Sequence, residues 1–205
     1  ASRFLAGSLG IPFIPVRGIQ GTDIANYRAA PDKLAVIENP FAPTDDDPTD
    51  AQIVVVPACR PEVAILHVQK ADRMGNLRVE GAVFHERELA RAAETVIVSC
   101  EELVEPDFFL AEPDRTTISF VHVDAVVPCP WGAYPTSCYG YYDYDSRHLE
   151  QYQAAARAPD KFKRYLADNV YNTDYDSFLQ ANLDEDTRHQ LQQSMQEISA
   201  TSNSH

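Results

Sequence analysis

Three short runs of β-branched and apolar residues constrain this chain most: Ile53–Val56 (IVVV), Val63–Val68 (VAILHV) and Thr95–Cys100 (TVIVSC). Each is too short and too continuous for an amphipathic helix and reads as a buried strand. Leu77–Val79 is a shorter strand, set off by the turn Asp72-Arg73-Met74-Gly75-Asn76, whose Gly and Asn tolerate left-handed backbone. Between it and Thr95 lies Phe84–Glu94 (FHERELARAAE), where Phe84, Leu89, Ala92 and Ala93 share a helix face. Strand, helix, strand in that order implies parallel pairing through a crossover. The expected fold class is therefore α/β, an open and mostly parallel sheet with flanking helices and a helical C-terminal part.

The remaining segments attach to that frame. The opening residues, without Met, read as the end of a helix inside a larger fold, with Phe4, Leu5 and Leu9 on one face and Gly10 as its stop. Ile11–Val16 (IPFIPV) holds two prolines and fits only an edge strand or an extended entry. Gly18–Asp23 (GIQGTD) is either a plain turn or a loop whose glycines let backbone approach a ligand. Leu34–Ile37 reads as a strand, and Asn39–Thr49 as a polar, exposed loop. His67, among apolar neighbours, reads as a core or pocket-edge histidine rather than a metal ligand. Glu101, Glu102 and Glu105 follow a strand at its carboxyl end, where open α/β sheets place ligands; they suit acid–base work or the neutralising of a following helix. Ile118–Val123 and Ala125–Val127 supply further strands.

Trp131–Asp145 (WGAYPTSCYGYYDYD) is the most unusual stretch, with five of the ten tyrosines and the only tryptophan. It reads as an ordered junction between the sheet and the helices that follow. Those helices carry apolar stripes at Leu149, Tyr152 and Ala156, at Phe162, Tyr165 and Leu166, and at Leu191, Met195 and Ile198. A single domain over residues 1–198 and a disordered polar tail over 199–205 complete the expected organisation.

A net charge of −14 in 205 residues argues against nucleic acid and against an anionic membrane surface as partners. No apolar run reaches the ~18 residues that span a bilayer. Cys59, Cys100, Cys129 and Cys138 form no CxxC, and no histidine pair has zinc-finger spacing, so the spacing gives no metal site. Free thiols and an acidic surface fit a cytoplasmic protein.

Four segments together resemble the α subunit of class I coenzyme A transferases, in the glutaconate CoA-transferase branch. They are IPFIPVRGIQGTD at 11–23, VAILHVQKADRMGNLRVEG at 63–81, AETVIVSCEELV at 93–104 and VDAVVPCPWGAYPTSCYGYYDYD at 123–145. The resemblance implies an α/β subunit that pairs with a β subunit, often as α2β2, and moves CoA between an acyl-CoA and a free carboxylate. It implies no cofactor, coenzyme A being a substrate, and a nucleophilic glutamate on the β partner rather than in this chain. Gln20, Gly21 and Thr22 are carried over as a loop near the acyl site, and Ser137, Cys138 and Tyr139 as its rim or a subunit contact. The upstream, glycine-rich third of the family fold has no counterpart here. Tyr134 stands where close relatives tend to have histidine. A CoA-ester ring-opening hydrolase subunit of the same fold, or a non-catalytic α-like fragment, are the alternative readings.

Overall fold

The computed structural model describes residues 1–23, 33–42 and 51–202. Two long strands dominate it, β4 (Val63–Asp72) and β6 (Thr95–Val104). They run parallel, with His67 opposite Ser99. β7 (Ala125–Pro128) adds in parallel to β6, and β5 (Leu77–Arg78) returns antiparallel to β4, giving the order β5-β4-β6-β7. The expected parallel sheet with flanking helices is present.

Strand alternation assigns the two faces. Ala64, Leu66 and Val68 of β4 and Val96, Val98 and Cys100 of β6 are all buried. They pack with Ala90, Leu89 and Ala93 of the 84–94 region, whose helix spans Glu86–Ala92. On the opposite face, Val63, Ile65 and Val127 are exposed, whereas Gln69 and Glu101 further along are buried.

β6 reaches four residues past Cys100, so Glu101 and Glu102 lie within the strand instead of after it. Pairing with β4 continues to Val104, and Lys70 meets Glu102 across the pair at 3.2 Å. Ile118–Val123 is not a strand: Ile118 makes one bridge to Leu77, and Phe120–His122 is a 3-10 turn. The Asn76 side chain accepts from the Phe120 N–H, and Asp124 accepts from the Val96 N–H at 2.7 Å, turning the chain toward β7.

The IVVV run joins a second, antiparallel sheet ordered β1-β3-β2, from Phe13–Val16, Gln52–Pro57 and Ala35–Glu38. The Pro15-containing strand is at its edge, where a missing N–H is tolerated. Leu34, Val54 and Val56 form its small core. In the first helix, Ser2–Ser8, the buried residues are Ala6 and Gly7, of which Gly7 lies against the Cys59 carbonyl and Ala92; Leu5 and Leu9 are exposed. The expected Phe4–Leu5–Leu9 stripe is thus rotated, because only small residues fit so close to the neighbouring backbone.

Among the described residues four α-helices follow the aromatic segment, Ser146–Ala156, Pro159–Leu166, Tyr175–Asn182 and Glu185–Ser202, with a π-helical turn Ala167–Tyr171 continuing the second. Asp145, Asp174 and Asp184 accept from backbone N–H groups at the starts of three of them. In the first, His148 is buried and Tyr152 is exposed, so the buried side is not the Leu149–Tyr152–Ala156 stripe. Tyr152 instead meets Phe162 and Tyr165 edge-on. In the last, Leu191 and Met195 are buried but Ile198 is exposed. That helix runs through Ser202 where the sequence reading begins a tail at Ser199; no Gly or Pro intervenes to stop it. Loop residues 43–49 and tail residues 203–205 lie outside the described residues. No described helix is long and apolar enough to cross a membrane. The four cysteines are unpaired with one another.

Candidate active site

Period-two alternation places His67 of β4 and Ser99 and Glu101 of β6 on one face, with His67 and Ser99 at mid-strand and Glu101 one step toward the carboxyl end of the parallel pair. That end is where an open α/β sheet presents its ligand crevice. The Glu101 carboxylate is buried and held from three sides. Its Oε1 meets His67 Nε2 at 2.8 Å and accepts from the Tyr142 hydroxyl at 2.5 Å. Its Oε2 accepts from the Trp131 backbone N–H at 2.7 Å. His67 Nδ1 lies 2.8 Å from Ser99 Oγ, so both ring nitrogens are engaged. A buried carboxylate is tolerated only with such a set of donors.

The aromatic segment makes this set possible. Trp131 has φ 67°, a left-handed conformation that costs a bulky residue roughly 1–3 kcal/mol. Its charge-assisted hydrogen bond to Glu101 and its stacking on Tyr142, at 4.2 Å between centroids, offset that cost. The Arg188 guanidinium lies 5.3 Å from the Trp131 ring. Gly132 passes directly over His67: a Cβ there would stand 2.6 Å from Cε1 and 2.8 Å from the Cys129 carbonyl oxygen. Tyr142 accepts from the Ala133 N–H at 3.0 Å while donating to Glu101. Burial, reinforced by Glu101, pushes its hydroxyl well above the ordinary range, so it stays a donor. Tyr134 donates to Asp145 at 2.8 Å and to the Asn182 carbonyl, pinning the segment to the helices. This gives Tyr134 a structural hydrogen-bond role.

Beside this cluster opens a pocket of about 570 Å³, lined among others by His67, Gln69, Phe84, Ser137, Cys138 and Tyr139. Gln69 fixes its floor, accepting from the Glu80 N–H at 3.1 Å and donating to the Tyr139 carbonyl at 3.2 Å. Gly81, at φ +84°, lets the Tyr139 ring pack where a side chain would be, 3.0 Å from a built Cβ. The Cys138 thiol is pushed up to about 12 by burial and then by Glu101. It is therefore a protonated thiol at neutral pH and a poor nucleophile.

Ser137, Cys138 and Tyr139 thus line the pocket with His67. Gln20, Gly21 and Thr22 do not: they follow β1 in the antiparallel sheet. There Gln20 donates to the Gln52 carbonyl at 2.9 Å and Thr22 to the Ile19 carbonyl at 2.7 Å. The structure does not bring the two groups into one pocket. The sequence reading left unconnected the His67–Glu101–Tyr142 set. One signal was available: Ser99 and Glu101 alternate on a strand predicted to pair with the strand carrying His67.

Residues 1–128 match the family described as Coenzyme A transferase, and the chain belongs to that family. It is 33% identical over 187 residues to the A subunit of glutaconate CoA-transferase from Acidaminococcus fermentans, a match covering 85% of this chain and 57% of that protein. The crystal structure of that transferase superposes with a TM-score of 0.83 at 32% identity, over 92% of this chain and 62% of the other. The chain is also 26% identical to the cholesterol ring-cleaving hydrolase IpdA subunit of Rhodococcus jostii, over 79% of this chain and 54% of that one. A variant of the decarboxylase AibA/AibB matches with a TM-score of 0.63 and 31% identity, over 81% of this chain and 58% of the other. The chain spans less than two thirds of the length of each of these relatives.

Proposed function

We propose that this chain is the α-type part of a heteromeric class I CoA-transferase that moves CoA between an acyl-CoA and a free carboxylate. Glutaconyl- or glutaryl-type thioesters are the substrate class. A β subunit is the partner, in an α2β2 assembly in the cytoplasm, and the α part alone is inactive. The observation that carries the reading is the likeness to the glutaconate CoA-transferase A subunit, at 33% identity against 26% for the ring-cleaving hydrolase.

The carboxylates near the pocket support a division of labour. Glu101 is buried with both oxygens engaged. Glu80 pairs with Arg115, and Glu86 accepts from the Phe84 N–H. A nucleophilic carboxylate has to reach a thioester carbonyl unencumbered, so the glutamate is assigned to the partner. It attacks the thioester, CoA thiolate leaves, and an acyl-glutamyl anhydride forms. The thiolate then attacks the glutamyl carbonyl and releases the first acid, and the acceptor carboxylate reverses both steps. Ser137, Cys138 and Tyr139 shape the rim on this side, and Gln20, Gly21 and Thr22 are the loop that would approach from the antiparallel sheet. Among the described residues, the pocket lining has no Lys or Arg but includes Glu80 and Glu86. The distal carboxylate of a dicarboxylic acyl group would therefore be met by the partner.

The test is exchange between glutaryl-CoA and labelled acetate, using the full-length gene product co-purified with a β subunit. Label in acetyl-CoA is the expected result. Release of free CoA without exchange would replace the transferase by a hydrolase. Neither activity from a pair shown to associate would leave a non-catalytic α-like protein.

A further inference from the structure

We propose that His67, Glu101 and Cys138 form a binding site for one zinc-class divalent cation, open to the pocket beside Ser137 and Tyr139. One ligand atom from each of the three side chains lies within 4.8 Å of the others. They come from β4, β6 and the aromatic segment, so no local spacing in the sequence reveals them. An imidazole nitrogen, a carboxylate oxygen and a sulfur make a donor set that zinc, cobalt and related ions accept. Magnesium and calcium, which favour oxygen, do not.

The surroundings already supply outer partners of the kind that orient metal ligands. Ser99 Oγ lies 2.8 Å from His67 Nδ1, the Trp131 N–H holds Glu101 Oε2, and the Tyr142 hydroxyl holds Oε1. Without the ion, Nε2 and Oε1 meet at 2.8 Å. Tetrahedral coordination requires them to part to roughly 3.3 Å, given metal–ligand bonds of about 2.0–2.2 Å. The movement is about half an ångström for this pair, and Cys138 Sγ, within 4.8 Å of both partners, closes to the roughly 3.5 Å that a metal–sulfur bond of about 2.3 Å sets.

Protons and charge balance. In the tautomer that binds the ion, Nδ1 carries the ring proton and donates it to Ser99 Oγ, which leaves the Nε2 lone pair for the ion. The Cys138 thiol releases its proton to solvent. One carboxylate and one thiolate then neutralise the dication beside a neutral imidazole, which suits a buried site. The fourth position faces the pocket and takes water.

The site does not depend on the transferase reading, and its test does not use activity. The full chain is titrated with cobalt(II), then with zinc. Expected are one equivalent of cobalt, a thiolate-to-cobalt charge-transfer band, its loss on zinc addition, and release of one proton per ion. Cys138→Ser should abolish the band and Cys59→Ser should keep it. His67→Gln removes a direct nitrogen ligand and should weaken binding by more than the roughly tenfold that loss of an outer partner costs; if Cys138→Ser does not fold, this variant decides, and unchanged affinity overturns the site. Absence of the band at millimolar cobalt, or its survival in a folded Cys138→Ser variant, also overturns it.

Discussion

One face of the parallel sheet carries two opposite kinds of surface. Toward the amino end of β4, apolar Val63 (51% exposed) and Ile65 (73%) face outward, and Val127 of β7 (49%), level with Ser99, does so beside them. Toward the carboxyl ends, polar Gln69 and Glu101 are buried (6% and 7%). Apolar out and polar in reverses the usual order, and the aromatic segment accounts for the inner half. It lies over the polar residues and brings the donors that Glu101 needs, from Trp131 and Tyr142. The segment is thus less a filler of hydrophobic space than a lid matched to the polar groups beneath it. Buried polar groups are stable only when their partner list is complete, and here completeness depends on one stretch of chain.

The most direct way to break the contrast is to remove the group at its centre. Glu101→Ala leaves the Tyr142 hydroxyl and the Trp131 N–H buried without their acceptor, besides opening a small cavity. The expected loss is roughly 3–5 kcal/mol of folding stability, the range for removing one member of a buried charged set. Urea unfolding followed by tyrosine and tryptophan fluorescence measures it. A loss below about 1 kcal/mol would show that the carboxylate is not what secures the lid. Tyr142→Phe is the milder version, since it keeps the ring stacked on Trp131 and deletes one hydroxyl. It should cost about 1–2 kcal/mol, with the Trp131 emission maximum unmoved. A red shift in that emission would mean the ring position also depends on the hydroxyl.

Much of the frame was legible from residue order. The β-branched runs and the amphipathic stretch between them fixed strand, helix and strand, because those signals are local. The second sheet was not legible: IVVV looks the same whether its neighbours run parallel or antiparallel, and only long-range pairing decides. The Leu149–Tyr152–Ala156 stripe misled for a related reason. The helix there buries His148 against Tyr134, Tyr165 and Phe178, a preference set by aromatic partners distant in sequence. At the candidate site, the family resemblance named Ser137–Tyr139, which line the pocket with His67. The role of Glu101 did not, because a glutamate at a strand end has many solvated uses. Only the three-dimensional return of residues 131–142 makes it buried.

His148 sharpens the comparison with a second covered polar group, one whose short-range partner is a phenol. Its Nε2 lies 2.8 Å from the Tyr165 hydroxyl, and burial, as the largest influence, lowers its proton affinity below the ordinary value of 6.5. Asp145 opposes that shift and Arg147 adds to it. The unfolded chain therefore binds this proton more readily than the folded one. Stability from neutral His148 is complete above about pH 6.5 and is lost progressively as pH falls through the folded value. Melting temperature should drop on acidification from about pH 7.5 to about pH 5, and drop less in His148→Gln, which cannot take up that proton. Equal drops in both proteins would mean that other groups carry the acid sensitivity.

The smallest effect is expected on the outward apolar half, and it tests whether that half is as uncovered as it looks. Ile65 sits on β4 opposite Ile97 of β6. Ile65→Thr keeps the β-branch, so strand preference is nearly unchanged, and the substitution removes only apolar surface that is mostly in water already. The change in unfolding free energy should stay within about 0.5 kcal/mol. The same exchange at a buried strand position would leave an unpaired hydroxyl in the core, a different and larger penalty. A loss of more than about 1.5 kcal/mol at Ile65 would match core behaviour. It would mean that this half of the face is covered in solution, and the contrast between the two halves would then be one of which cover each receives.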